Sequence, residues 1–175
     1  MSNKRICANE ATAKRLNEGA TAMFVPRVIN YRDENKLCKE GDKLFICEAW
    51  TIYQTRNYVR RPDGRAFSEI SDGLYAYKAD GFESIADFKE HIRLMSDKSF
   101  EEVYVLDDKW HSPATMSTKD PNDTPCRHVW KIGKVEAVQF KDLFTLDKIV
   151  KLGIDEVCIP DKHLIRWGWY IEKGE

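Results

Sequence analysis

Apolar and polar residues alternate along several segments of the chain, which is the pattern of β-strands that bury one face. The longest such segment covers residues 129–140, and a more apolar one covers residues 43–52. Weaker extended segments are predicted at residues 23–29, 74–79, 102–106 and 164–171. Residues 55–71 are polar and contain a predicted turn at residues 62–64.

Three shorter segments have the residues that begin and end helices. Asn9 suits the N-cap of the first, and Gly19 suits the left-handed position that follows its last turn. Ser84 and Asp87 suit a capping box, and the apolar residues after them recur at steps of three and four. The predicted helices cover residues 10–18, a segment that begins at residue 84, and residues 145–152.

The order and number of these elements predict the fold class. Strands outnumber helices and do not alternate with them as in βαβ units. The sequence therefore predicts an α+β protein, built as a small β-barrel or a strongly curved mixed sheet with two to three flanking helices. A length of 175 residues fits one domain.

Composition and charge narrow the functional classes. The formal net charge is -1, so the chain does not have the basic character of a protein that binds phosphates non-specifically, and any nucleic-acid contact must use a local patch. The five cysteines include no Cys-x-x-Cys pair, which argues against a disulfide scaffold or a zinc ribbon. No signal peptide or membrane-spanning stretch is recognised, so a cytoplasmic protein with no membrane contact is expected.

The strongest local patch of positive charge lies at residues 56–65. Four arginines surround one tyrosine there: Arg56, Tyr58, Arg60, Arg61 and Arg65. Arginines bind phosphate oxygens and an aromatic ring can stack on a base, so this segment is the predicted nucleic-acid loop. A solvated, purely structural loop is the alternative.

Other residues with chemical potential give weaker patterns. Cys126, His128 and His111 do not have the spacing of a metal site, which would need further ligands, and no metal or other cofactor is expected. Trp110 opens a polar segment at residues 111–125, so it is the tryptophan best placed to stack on a ligand.

Six segments, taken in order, are similar to a known family. Residues 16–27 (LNEGATAMFVPR) resemble a helix followed by a glycine motif that ends in arginine, and residues 41–50 (GDKLFICEAW) resemble the motif GDRLWVRETW. The other four are residues 77–81 (YKADG), residues 110–116 with Arg127, residues 143–154, and the closing WGW at residues 167–169. Together they resemble the phage-associated branch of the ASCH proteins, which belong to the PUA-like superfamily.

The resemblance implies a single PUA-like barrel over residues 1–175, with an inserted loop and helix at about 81–126. Such domains bind RNA or modified bases in a cleft. Arg27 is implied to point into that cleft and meet a phosphate or carboxylate. The other implied ligand-binding residues are Glu48, Lys78, Trp110 and Arg127. Glu48 lies in an apolar strand, so the alternative is a structural ion pair with Arg27 or Arg127.

One subgroup of the family is an amidohydrolase of an acetylated cytidine that uses a lysine and a threonine of the glycine motif. Thr21 stands at the lysine position here and Phe24 at the threonine position, and a hydroxyl cannot replace an ammonium group. The expected function is therefore a binding module for RNA, single-stranded nucleic acid or a modified nucleoside.

Two alternatives remain open. One is an amidohydrolase of an acylated nucleoside in which Thr21, Glu48 and Arg27 support the chemistry. The other is a phage accessory protein that binds a host or defence protein through residues 30–41 and 111–125, in the host cytoplasm.

Overall fold

The computed structural model describes residues 3–27, 38–95, 100–117, 125–153 and 167–175. These residues form nine strands and three α-helices, which confirms the predicted α+β class. The strands are β1 Asn3–Cys7, β2 Ala22–Arg27, β3 Lys43–Cys47, β4 Trp50–Arg60, β5 Ala66–Ile70, β6 Leu74–Tyr77, β7 Phe100–Val105, β8 His128–Gln139 and β9 Trp167–Lys173. The helices are α1 Glu10–Asn17, α2 Ile85–Met95 and α3 Leu146–Leu152. No helix in these ranges is long and apolar enough to cross a membrane.

The chain divides into two compact units. The first comprises Met1–Cys47 and Cys126–Glu175, and the second comprises Glu48–Pro125. The second unit is thus inserted within the first, and it overlaps the insertion predicted at about residues 81–126. The chain leaves and re-enters the first unit at neighbouring points, since the Cys126 thiol donates a hydrogen bond to the Ile46 carbonyl at 3.2 Å.

The first unit contains a five-stranded mixed sheet in the order β1-β3-β8-β9-β2. The β1–β3 pair is parallel, and the other pairs are antiparallel. Among the described residues β1 and β2 are the edges of this sheet, and no hydrogen-bonded pair closes it into a barrel. Strand β1 was not predicted, because its sequence NKRIC is mostly polar and only Ile6 is buried.

The sequence signals at the ends of helices α1 and α3 have the expected geometry. The Asn9 side chain accepts a hydrogen bond from the Thr12 backbone N–H at 2.8 Å. Gly19 and Gly153 have φ values of 98° and 62°, in the region that favours glycine. Leu152 of α3 is buried in a cluster with Tyr170 of β9, and burial of such side chains stabilises the unit.

One position of β9 has no room for a side chain. Gly168 is paired with Pro26 of β2. A Cβ atom at residue 168 would lie 2.4 Å from the Val25 carbonyl oxygen and 2.5 Å from Cζ of Phe24. Glycine is therefore required for the close approach of these two strands.

The second unit is built around the long strand β4. Strand β6 pairs with its first part, β7 with its middle and β5 with its last part, all antiparallel. Helix α2 begins with the predicted capping box, in which the Ser84 N–H donates to Asp87 Oδ2 and the Asp87 N–H donates to Ser84 Oγ. Phe88 of α2 meets the Tyr53 ring edge-on, with ring centroids 5.0 Å apart, so the helix covers one face of the sheet.

Two predictions about this region were incomplete. The single strand predicted at residues 43–52 is two strands, β3 and β4, which belong to different units. The polar segment predicted at residues 55–71 is a β-hairpin, because β4 continues through its arginines and pairs with β5. The turn at residues 62–64 was correct, and Gly64 has φ of 81°. Residues 164–166 of the last predicted strand lie outside the described residues.

Cys38 and Cys7 of the first unit differ in the reactivity expected of their thiols. Cys38 is buried, and this burial, with a smaller contribution from the Asp42 carboxylate, raises the pKa of its thiol to about 11. Cys7 is exposed. Because the thiolate is the nucleophile, iodoacetamide at pH 8 should label Cys7 well before Cys38. Peptide mass mapping over time checks the order, and early labelling of Cys38 would contradict it.

Candidate nucleic-acid interface

Strand β4 presents alternate residues to opposite sides of the second unit's sheet. The odd-numbered Thr51 and Thr55 are buried, as is Ala76, which lies opposite Thr51 on β6. The even-numbered residues are half-buried at the start of the strand and exposed at its end. These are Trp50, Ile52, Gln54, Arg56, Tyr58 and Arg60. The even-numbered side of β4 is therefore the accessible side.

Residues directly opposite each other on paired strands share a face, so the register extends this side across β5 and β7. Tyr104 lies opposite Gln54, Ile70 opposite Arg56 and Ser68 opposite Tyr58. The open face is defined here as the following residues: Gln54, Arg56, Tyr58 and Arg60 of β4, Ser68 and Ile70 of β5, and Tyr104 of β7. Its two tyrosines are 41% and 38% exposed, which leaves both rings accessible.

Arg56 and Tyr104 form a mixed pair on the open face. The guanidinium carbon lies 5.1 Å from the centroid of the Tyr104 ring, within the range of a cation–π contact. The Cα partner of Arg56 on β7 is Glu102, whose side chain is not among those described. The contact with the ring holds the Arg56 charge beside an aromatic surface.

The structure separates the five residues of the predicted nucleic-acid loop. Arg56, Tyr58 and Arg60 share the open face. The Arg61 guanidinium instead lies 4.7 Å from the ring centroid of Phe67, which is opposite Val59 and so belongs to the other side of the sheet. Arg65 is exposed in the turn, where its backbone N–H donates to Asp63 Oδ1.

The far end of the same side of the sheet carries an aromatic group that the sequence did not predict. The His111 ring stacks on Trp50 with centroids 4.7 Å apart, and the two backbones form an isolated bridge. His111 Nε2 lies 2.8 Å from Asp107 Oδ2. Tyr75 meets the Trp50 ring edge-on. Trp50 and His111 are far apart in the sequence and meet only through the bridge between their backbones. No local sequence pattern therefore indicated this aromatic group.

Three other predicted site residues lie in the first unit. Thr21 is exposed, its backbone N–H donates to the Lys151 carbonyl, and its carbonyl accepts from the Lys173 N–H, each at 2.9 Å. Arg27 ends β2 opposite Trp167, and its side chain lies outside those described. Arg127 is exposed just before β8.

The remaining predicted residues belong to the second unit. Glu48 is buried, and Lys78 is half-buried with its backbone N–H bonded to the Ala49 carbonyl. Trp110 packs beside Phe82 and Phe88, with ring centroids 6.4 and 6.2 Å away. This packing places Trp110 in the aromatic core beside α2. The ligand contact predicted for Trp110 stays a prediction.

The candidate metal residues have other contacts. The Cys126 thiol also lies 3.4 Å from the His128 carbonyl, and the His128 ring lies 2.7 Å from the Asn17 side-chain oxygen. Within the described ranges no group of three or more histidine, cysteine, aspartate or glutamate residues could hold a metal ion.

Comparison with known proteins gives no relative from which a site could be transferred. No family model matches the chain, and no curated protein or solved structure matches it significantly.

Proposed function

We propose that this protein binds single-stranded nucleic acid on the open face of its second unit. The observation that carries the proposal is the alternation of Arg56, Tyr58 and Arg60 along one side of β4. Two arginines flank a ring that is 41% exposed, so phosphates can be held on either side of a stacked base.

The charge distribution supports this location. The whole chain has a formal net charge of -1, so its general field does not attract nucleic acid. Arg56 and Arg60 give the open face a local positive charge. On the same hairpin Glu69 lies opposite Asn57, which places it on the other side of the sheet. Glu69 is therefore not a neighbour of the two arginines on their side. The register places Glu102 of β7 opposite Arg56, whereas Arg60 lies opposite the uncharged Ala66.

The two exposed tyrosines favour a single strand as the ligand. In a duplex the bases stack on each other and their faces are covered, whereas unpaired bases can stack on protein rings. RNA, single-stranded DNA and a modified nucleoside all present such a base. The resemblance to ASCH proteins supports the same ligand class. The proposal also includes a PUA-like barrel, a phage origin and a cytoplasmic location. No catalytic step is part of it.

The arginine pair can be tested through the salt dependence of binding. In the variant R56Q/R60Q, the slope of log affinity against log salt for a labelled U12 RNA should fall in magnitude by about 1.4, because each lost phosphate contact on a single strand removes about 0.7. Fluorescence anisotropy between 50 and 200 mM salt, roughly the range over which such contacts lose most affinity, measures it.

The variant R61Q/R65Q is the matched control, since it removes the same charge from the same hairpin but outside the open face. The slope of log affinity against log salt for this control should change by less than half as much as the slope for R56Q/R60Q. Equal changes in both variants would show that the phosphate contacts are not confined to the open face and include the turn. A wild-type protein that binds no oligonucleotide would refute the proposed function, provided that circular dichroism shows it to be folded.

A further inference from the structure

Two cysteines of the first unit are direct neighbours in its mixed sheet, although they are far apart in the sequence. The parallel register pairs Cys7, the last residue of β1, with Cys47, the last residue of β3, and both are reduced. Paired residues point to the same side of a sheet. Neighbouring strands lie about 4.8 Å apart and the Cα atoms of a disulfide about 4.4–6.8 Å apart, so this register suits a disulfide.

The backbone holds the two cysteines beside each other. The parallel register is regular along the whole of β1. It continues past Cys7, because the Ala8 N–H donates to the Cys47 carbonyl at 2.8 Å, and the Asn9 cap of α1 follows directly. Cys7 is therefore not a frayed chain end. Among the described residues β1 is an edge of the sheet, so it can make the small shift that brings the two Cβ atoms within bonding range.

The two thiols differ in exposure, which gives them different roles. Cys7 is exposed, so a dissolved oxidant can reach it, whereas Cys47 is 0% exposed and protected from direct oxidation. Strand β3 separates Cys7 from the Cys126 thiol, since Cys126 precedes β8 on the other side of β3. An oxidised Cys7 therefore has Cys47 as its neighbour in the sheet.

We propose that Cys7 and Cys47 are a redox modification site that forms a reversible disulfide when the protein meets a peroxide. The Cys7 thiolate attacks a peroxide oxygen and the O–O bond breaks, which leaves a sulfenic acid on Cys7 and releases water or an alcohol. The Cys47 sulfur then attacks the Cys7 sulfur, and the hydroxyl group leaves as water with the Cys47 proton. Two thiols lose two electrons and two protons, and one peroxide is reduced. This inference goes beyond the proposed function and does not depend on the open face.

The bond would tether a strand that packing holds weakly. Ile6 is the one buried residue of β1. A bond between Cys7 and Cys47 closes a loop over residues 8–46, and such a closure stabilises a fold by constraining the unfolded chain. Oxidation should therefore raise the melting temperature by about 5–10 °C, and dithiothreitol should reverse the rise.

The test treats the folded protein with a small excess of hydrogen peroxide at neutral pH, blocks the remaining thiols with iodoacetamide and maps the tryptic peptides without reduction. Trypsin cleaves after lysine and arginine, so Cys7 lies in peptide 6–14 and Cys47 in peptide 44–56. We expect these two peptides to be linked, with a mass lower than their sum by that of two hydrogen atoms. Dithiothreitol should separate them.

Two variants make the result specific. C7S removes the exposed thiol and should show neither the linked peptides nor the rise in melting temperature. C126S is the matched control, because it removes a thiol of the same unit on the far side of β3, and it should keep both.

Several results would overturn the inference. One is a wild-type protein in which Cys7 carries only a sulfinic or sulfonic acid, and another is one in which Cys7 links to a second copy of the chain. A link between Cys47 and Cys126 would do the same. So would a melting temperature that falls on oxidation, because the bond would then fit only a distorted chain.

Discussion

Replacing Gly168 with alanine should destabilise the first unit by about 3 kcal/mol, at the upper end of the cost of overpacking a close contact. The new Cβ would lie 2.4 Å from a backbone carbonyl oxygen of Val25 and 2.5 Å from the ring of Phe24. The carbonyl belongs to a paired strand and cannot move without disturbing the β2–β9 ladder. A change of this size should lower the melting temperature by about 6–12 °C for a chain of this length.

Thermal unfolding followed by circular dichroism measures this effect, and G19A is the control. Gly19 is also in the first unit, but nothing lies within 4 Å of a Cβ built there. Its φ of 98° makes alanine cost about 1 kcal/mol through backbone strain alone. If G168A melts no lower than G19A, the strands can separate at small cost and the packing argument is wrong.

Replacing Tyr58 with alanine should weaken the binding of single-stranded nucleic acid by about tenfold or more, because stacking on one aromatic side chain contributes about 1–3 kcal/mol. The melting temperature should change little, since Tyr58 is 41% exposed. Anisotropy titration of U12 RNA, with a melting curve of each variant, measures both quantities.

Two variants make this result specific. Y58F keeps the ring and should bind nearly as well as the wild type, because stacking does not need the hydroxyl group. L74A removes a side chain of similar exposure, 40%, from the opposite side of the sheet, where Leu74 is paired with Tyr53. Its affinity should be unchanged. Wild-type affinity in Y58A, or equal losses in Y58A and L74A, would count against the open face.

Local signals in the sequence predicted much of the secondary structure. The Asn9 cap and the Ser84 capping box act over three residues, and both were correct. Strand β8 was predicted from its alternation alone. Strand β1 was missed because it is polar, and its parallel partner β3 is distant in the sequence. Such pairings are stabilised by tertiary contacts that no short segment encodes.

The candidate site was predicted in composition but not in arrangement. The spacing of two between Arg56, Tyr58 and Arg60 is the period of a strand, yet the surrounding arginines gave the segment the composition of a loop. The addition of Tyr104 and Gln54 depends on the β4–β7 register, which the sequence does not contain. The separation of Arg61 from the other arginines follows from its contact with Phe67.

The hydrogen bond between the Cys126 thiol and the Ile46 carbonyl has a consequence for the modularity of the protein. It shows that the two chain ends at which the second unit is inserted lie side by side in the first unit. A different module with closely spaced termini could occupy this position without stretching the β3–β8 pair, as in other domain insertions. Recombination at these two junctions could therefore exchange the second unit while the mixed sheet remains unchanged.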